Sequence, residues 1–208
     1  MSKTKILSIQ HPQAIPTAKK IIDEHGTIAF PTDTVYGIAA DAFSPKGIQK
    51  IYQAKERSTE KALPVLIGDL GQLSSLVPTI SERVLNIAAA FWPGALTLIL
   101  PRRIELPSAL TPYPTIGIRM PNLDFTLKLL CETGPLATTS ANLSGSPNPT
   151  TAQQVFEQLA GRVDLILDGG TAPGTTASTV VDVSGPELVL LRQGPISLEA
   201  IQAVFDQD

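Results

Sequence analysis

Apolar residues recur every three to four positions in several segments of the chain, which is the spacing of a helix that buries one face. In the first such segment the buried face would consist of Ile15, Ala18, Ile21 and Ile22. This pattern predicts a helix over about 13–24, with Gly26 as a left-handed residue just beyond its end. A strand is predicted to follow directly, at 27–30.

Other helices are marked by residues that can cap a first turn. Ser44 followed by Pro45 predicts one helix start, and Thr150 with Gln153 predicts a capping box that opens a helix to about residue 160. Three more helices are predicted at 81–91, 123–132 and about 197–206. The helix at 123–132 would turn three residues inward, namely Leu127, Leu130 and Cys131.

Extended segments separate these helices. They are predicted at 63–67, 95–100, 115–119, 163–167, 178–183 and 188–191. The early strands alternate with helices, whereas the last two follow each other without a helix between them. We therefore expect an α/β fold with a mixed, twisted sheet and flanking helices, not an all-parallel sheet.

Composition narrows the possible functions. The chain has 208 residues, 43% of them hydrophobic, so it can bury the core of one domain. It contains no apolar run of about 18 residues and no secretory leader, so we expect a cytoplasmic protein that does not enter a membrane. One cysteine and two separated histidines exclude an internal disulfide and leave too few ligands for a zinc site. A net charge of −3 means that an anionic ligand must meet a local basic site.

The segment 46–61 offers such a local site, with five cationic residues against two acidic ones. Lys55 and Arg57 fall where the helix that begins at Pro45 should end, and Lys61 precedes the strand at 63–67. One interpretation is a solvated helix end whose cations complement the helix dipole. The other is a ligand site at the edge of the sheet, where loops gather.

Two segments are rich in hydroxyl groups. In AFPTDTVYGIAADAF, at 29–43, an apolar strand stops at Pro31 and is followed by two threonines, an aspartate and a tyrosine. In PLATTSANLSG, at 135–145, an apolar strand leads into Thr138, Thr139, Ser140 and Asn142. These groups suit phosphate oxygens or a sugar, but they also form ordinary turns, and the residues alone leave both interpretations open.

Two arginines lie in extended segments. Arg119 interrupts the apolar run TIGIRMP, so it is either a strand-edge residue that faces water or a buried clamp for a carboxylate. Arg192, in LLRQG, follows a further pair of hydroxyl residues, Ser178 and Thr179. The common catalytic motifs for phosphate loops, dinucleotide sites, zinc proteases and serine hydrolases are missing from the sequence. The residues therefore favour a pocket that places substrates and neutralises charge.

Seven segments, in order, resemble the YrdC-type threonylcarbamoyl-AMP synthase family over about 13–194. They are FPTDTVYGIAADAF, AKERSTEKALPVLI, FWPGALTLIL, TIGIRMP, PLATTSANLSG, STVVDV and LLRQG. The resemblance implies a short form with one YrdC-like domain over 1–208, its core at about 13–194 and its C-terminal helix at about 197–206. It also implies a strongly twisted sheet that encloses a basic cavity.

The resemblance further implies a nucleotidyltransferase. L-threonine, bicarbonate and ATP would give threonylcarbamoyl-AMP, pyrophosphate and water, the first step of threonylcarbamoyladenosine formation in tRNA. The substrate carbamate would supply the attacking oxygen, so that the protein contributes mainly proximity and charge stabilisation. A downstream tRNA threonylcarbamoyl-transferase complex would take the product, and a direct contact with tRNA is possible.

Residue roles follow from the same resemblance. Lys55 and Arg57 match the family's K-x-R motif and would be catalytic, holding the ATP phosphates. The threonine-binding residues would be Thr32, Thr34, Arg119 and Ser178. The other ATP-binding residues would be Lys61, Thr115, Thr138, Ser140, Asn142 and Arg192. Mg²⁺ would bind mainly through the triphosphate, with no protein metal site.

Some points stay open at this stage. Asp33 either assists the metal or caps the turn after Pro31, and Tyr36 is expected to be a wall of the pocket because a phenol titrates near 10. The segment STEKALP departs from the family by lacking a proline soon after Arg57, which leaves the role of Lys61 open. The alternative function is a noncatalytic RNA-binding module that uses the same basic cavity.

Overall fold

Ten strands form one sheet in the computed structural model, which describes residues 4–174 and 176–206. The strands are β1 (Lys5–Ser8), β2 (Ile28–Phe30), β3 (Gly37–Asp41), β4 (Val65–Leu66), β5 (Leu96–Pro101), β6 (Thr115–Arg119), β7 (Leu136–Ser140), β8 (Leu165–Asp168), β9 (Thr179–Asp182) and β10 (Val189–Arg192). Their order is β1-β8-β2-β3-β7-β4-β6-β5-β9-β10. Parallel pairs (β1–β8, β2–β8, β4–β6, β5–β9) occur beside antiparallel ones, so the predicted mixed sheet is confirmed.

Helices flank the sheet on both faces. They are α1 (Ala14–Asp23), α2 (Pro45–Lys55), α3 (Glu82–Phe91), α4 (Asp124–Thr133), α5 (Ala152–Leu159) and α6 (Leu198–Phe205), with a short 3₁₀ helix at Leu70–Ser75. None of the helices in 4–174 and 176–206 is long and apolar enough to cross a membrane. The predicted start at Ser44 is confirmed, because its hydroxyl accepts a hydrogen bond from the amide of Gly47 at 3.1 Å.

Side-chain alternation sends each strand into two different environments. In β2, Ile28 and Phe30 pack with α1 and α4, whereas Ala29 joins the core on the opposite face with α2, α3, α5 and α6. The α1 and α4 layer covers the part of the sheet from β1 and β8 as far as Leu136 of β7 and Leu66 of β4. The same face of β6, β5 and β9 lies beyond that layer and forms the floor of a pocket.

Three local predictions were wrong by one or a few residues. The left-handed residue after α1 is His25, with φ 59°, and not Gly26. The cap of α5 is Thr151, which accepts from Gln154 N–H at 3.2 Å, while the Gln154 side chain accepts from Thr150 N–H. With the helix beginning at Ala152, the buried face of α5 consists of Ala152, Val155 and Leu159. The strand predicted at 63–67 is shorter than expected, since β4 comprises only Val65–Leu66.

The predicted inward face of α4 was also wrong in part. Leu130 is buried as predicted, but Cys131 is exposed and Thr126 and Leu129 are buried instead. The Thr126 hydroxyl donates to the Pro31 carbonyl at 2.7 Å, which satisfies a polar group that the apolar pattern did not place inside. The strands β1 and β3 were not predicted at all.

Candidate functional site

A cavity of about 370 Å³ lies on the same face of the sheet as α1 and α4, over the part that these helices leave uncovered. Its floor is formed by strand residues on the face of the sheet opposite the core that α2, α3, α5 and α6 cover: Gly37, Thr97, Ile99, Gly117, Thr138 and Val180. Gly117 keeps the floor low, since a Cβ there would lie 3.2 Å from both Ile99 and Thr97. The walls come from Thr32 and 34–36, from Arg57, Ala62 and Pro64, and from Ala177 with Ser178.

Three arginines from distant parts of the chain line this pocket: Arg57 after α2, Arg119 at the end of β6 and Arg192 at the end of β10. No carboxylate lines it among the residues that the structure describes. Burial lowers the pKa of each guanidinium from its ordinary value, because desolvation disfavours the charged form. An anionic ligand would reverse that penalty by pairing with the arginines.

Arg57 is aimed at the pocket by the end of α2. Glu56, at φ 52°, is left-handed and turns the chain out of the helix, as the predicted helix end at Lys55 required. The Arg57 guanidinium donates from Nη2 to the Ala62 carbonyl at 3.2 Å. Its Nε is buried and has no hydrogen-bond partner in the part of the chain that the structure describes, while the residue itself lines the pocket.

Lys55 points away from Arg57. The residue is 1% exposed, and its ammonium donates to the carbonyl of Ser140, to the carbonyl of Asn142 at 2.6 Å and to Asn142 Oδ1 at 3.4 Å. Lys55 therefore anchors the turn that follows β7 and is not among the pocket-lining residues. A contact between Lys55 and ATP phosphates stays a prediction, and it would require the ammonium to leave these acceptors.

Burial, with a smaller contribution from the charge of Arg57, lowers the pKa of Lys55 to about 7. Between that value and the ordinary pKa of about 10.4, the unfolded chain holds a proton that the folded chain has released. The free energy of unfolding must then rise with pH, by at most about 1.4 kcal/mol per pH unit.

We expect Lys55→Met to remove this rise. Urea unfolding at pH 7, 8 and 9 should show the stability of the unmodified protein gaining about 1 kcal/mol per pH unit over the variant. Lys46→Met, which changes an exposed lysine of the same helix, should run parallel to the unmodified protein. Parallel curves for Lys55→Met as well would contradict a lowered Lys55 pKa.

Arg119 is buried and not at a water-facing edge, which decides between the two interpretations of its position. Its exposed fraction is 6%, and each of its three nitrogens donates a hydrogen bond. Nε donates to the Gly94 carbonyl at 3.0 Å, Nη1 to Thr34 Oγ1 at 3.0 Å, and Nη2 to Asp33 Oδ1 at 2.5 Å. The carboxylate that Arg119 holds in the structure is thus the protein's own.

The corner after Pro31 is organised by Thr32. Its hydroxyl accepts from the amides of Thr34 and Val35 at 3.1 and 3.2 Å and lies 2.9 Å from Thr34 Oγ1. Thr34 in turn accepts from Arg119. Two threonine hydroxyls and one guanidinium therefore form a connected polar chain on one side of the pocket.

Arg192 reaches the pocket through an irregularity in β10. Leu190 pairs with Val181, and Arg192 pairs with Val180, so Leu191 is an extra residue between them. Val180 faces the pocket, and Arg192 therefore does so too. Its guanidinium donates to the Ser178 carbonyl at 3.0 Å and to Ser178 Oγ at 3.2 Å.

The structure brings most of the predicted site residues together. Thr32, Thr34, Arg57, Arg119, Thr138, Ser140, Ser178 and Arg192 line the pocket. The others, Lys55, Lys61, Thr115 and Asn142, do not. Lys61 is exposed, Thr115 lies on the pocket face of β6 but two residues before Gly117, and Asn142 turns its amide to the carbonyls of Leu143 and Ser146.

Sequence reasoning missed two polar lining residues, Thr97 and Asn148. Thr97 was detectable, since it is the polar residue of the alternating strand LTLIL, and its hydroxyl lies 2.8 Å from Ser178 Oγ. Tyr36 lines the pocket as expected, with its hydroxyl donating to the Gly170 carbonyl at 2.7 Å. Desolvation raises the pKa of Tyr36, which keeps the phenol neutral near pH 7.

Comparison with known proteins gives a consistent result. The family model Sua5_yciO_yrdC, described as "Telomere recombination", matches residues 20–194. A Bacillus subtilis protein named threonylcarbamoyl-AMP synthase is 44% identical over 97% of this chain. The chain spans 59% of the length of that relative.

Two solved structures are similar over nearly all of the chain. The crystal structure of Pyrococcus abyssi Sua5 complexed with L-threonine has a TM-score of 0.90 and 36% identity, covering 98% of this chain and 60% of that one. The crystal structure of YciO from Escherichia coli has a TM-score of 0.84 and 26% identity, covering 97% of this chain and all of that one. The α/β fold with a twisted, open sheet is common to these structures.

Proposed function

This chain belongs to the Sua5/YciO/YrdC family, and on that premise we propose that it is an L-threonylcarbamoyladenylate synthase. The observation that carries the proposal is the convergence of Arg57, Arg119 and Arg192 on one hydroxyl-lined pocket. The proposed substrates, ATP, bicarbonate and threonine, all bear negative charge that guanidinium groups can hold.

In the proposed reaction the amine of L-threonine combines with bicarbonate to give a carbamate and water. A carbamate oxygen then attacks the α-phosphorus of ATP, and pyrophosphate leaves with the electron pair of the broken P–O bond. The attacking atom belongs to the substrate. The protein is left with holding two anions close together and stabilising charge on the phosphates, which a pocket of fixed arginines can do.

We assign the phosphate end of the pocket to Arg57 and Arg192. Arg57 lines the pocket, and a phosphate oxygen is a strong acceptor for guanidinium N–H donors. Thr138 and Ser140, on β7, would donate hydroxyl hydrogen bonds to the nucleotide or the carbamate. Lys55, Lys61, Thr115 and Asn142 stay candidates for ATP binding on the resemblance of their segments alone.

We assign the amino-acid end to Arg119 and the corner around Thr34. The guanidinium would hold the threonine carboxylate, and Thr32, Thr34 and Ser178 line the same pocket, with Thr34 bonded to Arg119. The threonine complex of the Pyrococcus abyssi relative supports an amino-acid ligand for this fold.

We propose that Mg²⁺ is brought in by the triphosphate. Within residues 4–174 and 176–206 there is no group of three or more acidic, histidine or cysteine side chains that could hold a metal ion, and the acid nearest the pocket arginines, Asp33, is paired with Arg119. When bound, the ion would neutralise phosphate charge. A tRNA threonylcarbamoyl-transferase complex would use the product, and we place the reaction in the cytoplasm, with tRNA contact as a further possibility.

The test is incubation of the purified chain with ATP, magnesium, bicarbonate and labelled L-threonine. We expect threonylcarbamoyl-AMP and pyrophosphate to form together, in equal amounts, and only when threonine is present. L-serine should react about 5-fold to 150-fold more slowly, since one methyl group in a pocket is worth about 1–3 kcal/mol.

The same preparation separates the enzyme from an RNA-binding module. Tight, strongly salt-dependent binding of RNA without threonine-dependent pyrophosphate would contradict the proposed activity. A preparation that makes pyrophosphate without threonine would contradict the proposed substrate.

A further inference from the structure

The ion pair between Arg119 and Asp33 restricts how any ligand can bind to Arg119. A guanidinium can hold a carboxylate with two parallel hydrogen bonds along either of two edges, one of which includes Nε and the other both Nη atoms. The Nε edge is held by the backbone, because Nε donates to the Gly94 carbonyl at 3.0 Å. The amide of Gly94 is itself fixed to the Met120 carbonyl at 2.8 Å.

Only the edge with both Nη atoms can therefore receive a ligand carboxylate in the two-bond geometry. This edge is held by side chains, with Thr34 on Nη1 and Asp33 on Nη2. Thr34 is a neutral hydroxyl that can share its position. Asp33 is a carboxylate in direct contact with Nη2 at 2.5 Å, so a ligand carboxylate that bound both Nη atoms would lie against a second negative charge.

Charge makes simultaneous binding unfavourable at this edge. The side chains of Arg119 and Asp33 are only 7% and 13% exposed, so water screens the two carboxylates poorly. Two carboxylates within about 4–6 Å repel each other. A ligand carboxylate that displaces Asp33 keeps Arg119 paired with a negative charge. A neutral ligand group that displaced Asp33 would leave the buried guanidinium without a charged partner.

We propose that Asp33 is a specificity-determining residue that holds the outer edge of Arg119 until a ligand carboxylate displaces it. This inference rests on the proposed function for the identity of the ligand, L-threonine. It makes the amino-acid site selective for anionic ligands, since a neutral analogue cannot replace Asp33. The Arg119–Asp33 pair also weakens threonine binding, because the apparent Kd equals the intrinsic Kd divided by the fraction of molecules in which this edge of Arg119 is open.

The matched variant is Asp33→Asn, which keeps the shape of the side chain and removes its charge. We expect isothermal titration of the full chain to give a Kd for L-threonine that is at least about tenfold lower in Asp33→Asn than in the unmodified protein. A tenfold difference corresponds to an edge that is open in about a tenth of the unmodified molecules. L-threoninamide, which lacks the carboxylate, should show no such gain. Asp69→Asn, at an exposed acid beside Cys131, should leave both affinities unchanged.

Two outcomes of this titration would overturn the inference. Weaker binding of both ligands to Asp33→Asn would mean that Asp33 holds the ammonium group of the ligand. Equal affinities in the two proteins would mean that Asp33 and the ligand share Arg119.

An acetate probe separates this inference from the proposed function. Acetate should raise the thermal midpoint of Asp33→Asn, which has an unpaired Arg119, and leave that of the unmodified protein unchanged. If acetate does so while threonine binds to neither protein, the inference stands and the proposed substrate fails. If threonine-dependent pyrophosphate forms but Asp33→Asn gains no affinity, the inference fails and the proposed function stands.

A measurement on the unmodified protein covers the case in which the variant does not fold. Crystals of the full chain grown with and without L-threonine should show Asp33 within hydrogen-bond distance of Arg119 Nη2 only when threonine is absent. A threonine carboxylate bound to Arg119 with Asp33 still in place would overturn the inference.

Discussion

Arg57→Ala should lower the rate of threonine-dependent pyrophosphate formation by about 100-fold to 1000-fold, the cost of removing one fixed donor that stabilises developing charge. We expect kcat to fall and the KM for ATP to rise, because Arg57 is proposed to hold phosphate oxygens whose charge changes during the reaction. Steady-state pyrophosphate release over a range of ATP concentrations measures both.

The matched control is Arg162→Ala. Arg162 pairs with Glu56, the residue next to Arg57, at 2.7 Å on the surface, and it does not line the pocket. Its loss should leave the rate within about twofold, because Arg162 does not line the pocket. The fold should also be kept, since exposed ion pairs contribute about 1 kcal/mol or less to stability. Thermal midpoints should show both variants folded. Equal activity of the two variants would remove Arg57 from the phosphate site.

Arg119→Met should lower both stability and activity. The substitution leaves Asp33 buried without its partner, and breaking a buried ion pair from one side typically costs about 3–5 kcal/mol. Threonine-dependent product should fall below detection, because the proposed carboxylate partner is lost. Urea unfolding and the pyrophosphate assay measure the two effects on the same preparation.

The double variant Asp33→Asn with Arg119→Met separates these two effects. Removal of the stranded carboxylate should restore at least about 2 kcal/mol of the lost stability, because no uncompensated charge stays buried. Activity should stay absent, since the guanidinium is still missing. A double variant that is no more stable than Arg119→Met would show that Asp33 reaches water when Arg119 is removed.

The sequence predicted those parts of the fold whose signals are local. Helix α6 and strand β6 were predicted at or within one residue of their ends, and the cap at Ser44 is formed by its own hydroxyl. Strand β3 was missed because its residues, GIAAD, are small and carry no alternation, since it is buried on both faces. Strand β1 was missed because it is an exposed edge strand stabilised by pairing with β8, which is distant in sequence.

The site was predictable to a different extent. Arginine and hydroxyl residues in extended or loop segments pointed to a pocket, and the structure brings eight of the predicted residues to its walls. Lys55 and Arg57 could not be told apart, because a left-handed residue between them sends one inward and the other to the pocket. The pairing of Arg119 with Asp33 depends on contacts between β6 and a corner 86 residues away, which no local pattern contains.

The extra residue in β10 determines where Arg192 points. With regular pairing, Arg192 would lie opposite Thr179, on the face that is packed against the helices, and its charge would enter the hydrophobic core. Leu191 is 57% exposed and belongs neither to the buried core nor to the pocket lining, so its main contribution is one residue of backbone length. At position 191 the presence of a residue, rather than its identity, is what keeps Arg192 on the pocket face, and an alignment that scores only substitutions would overlook it.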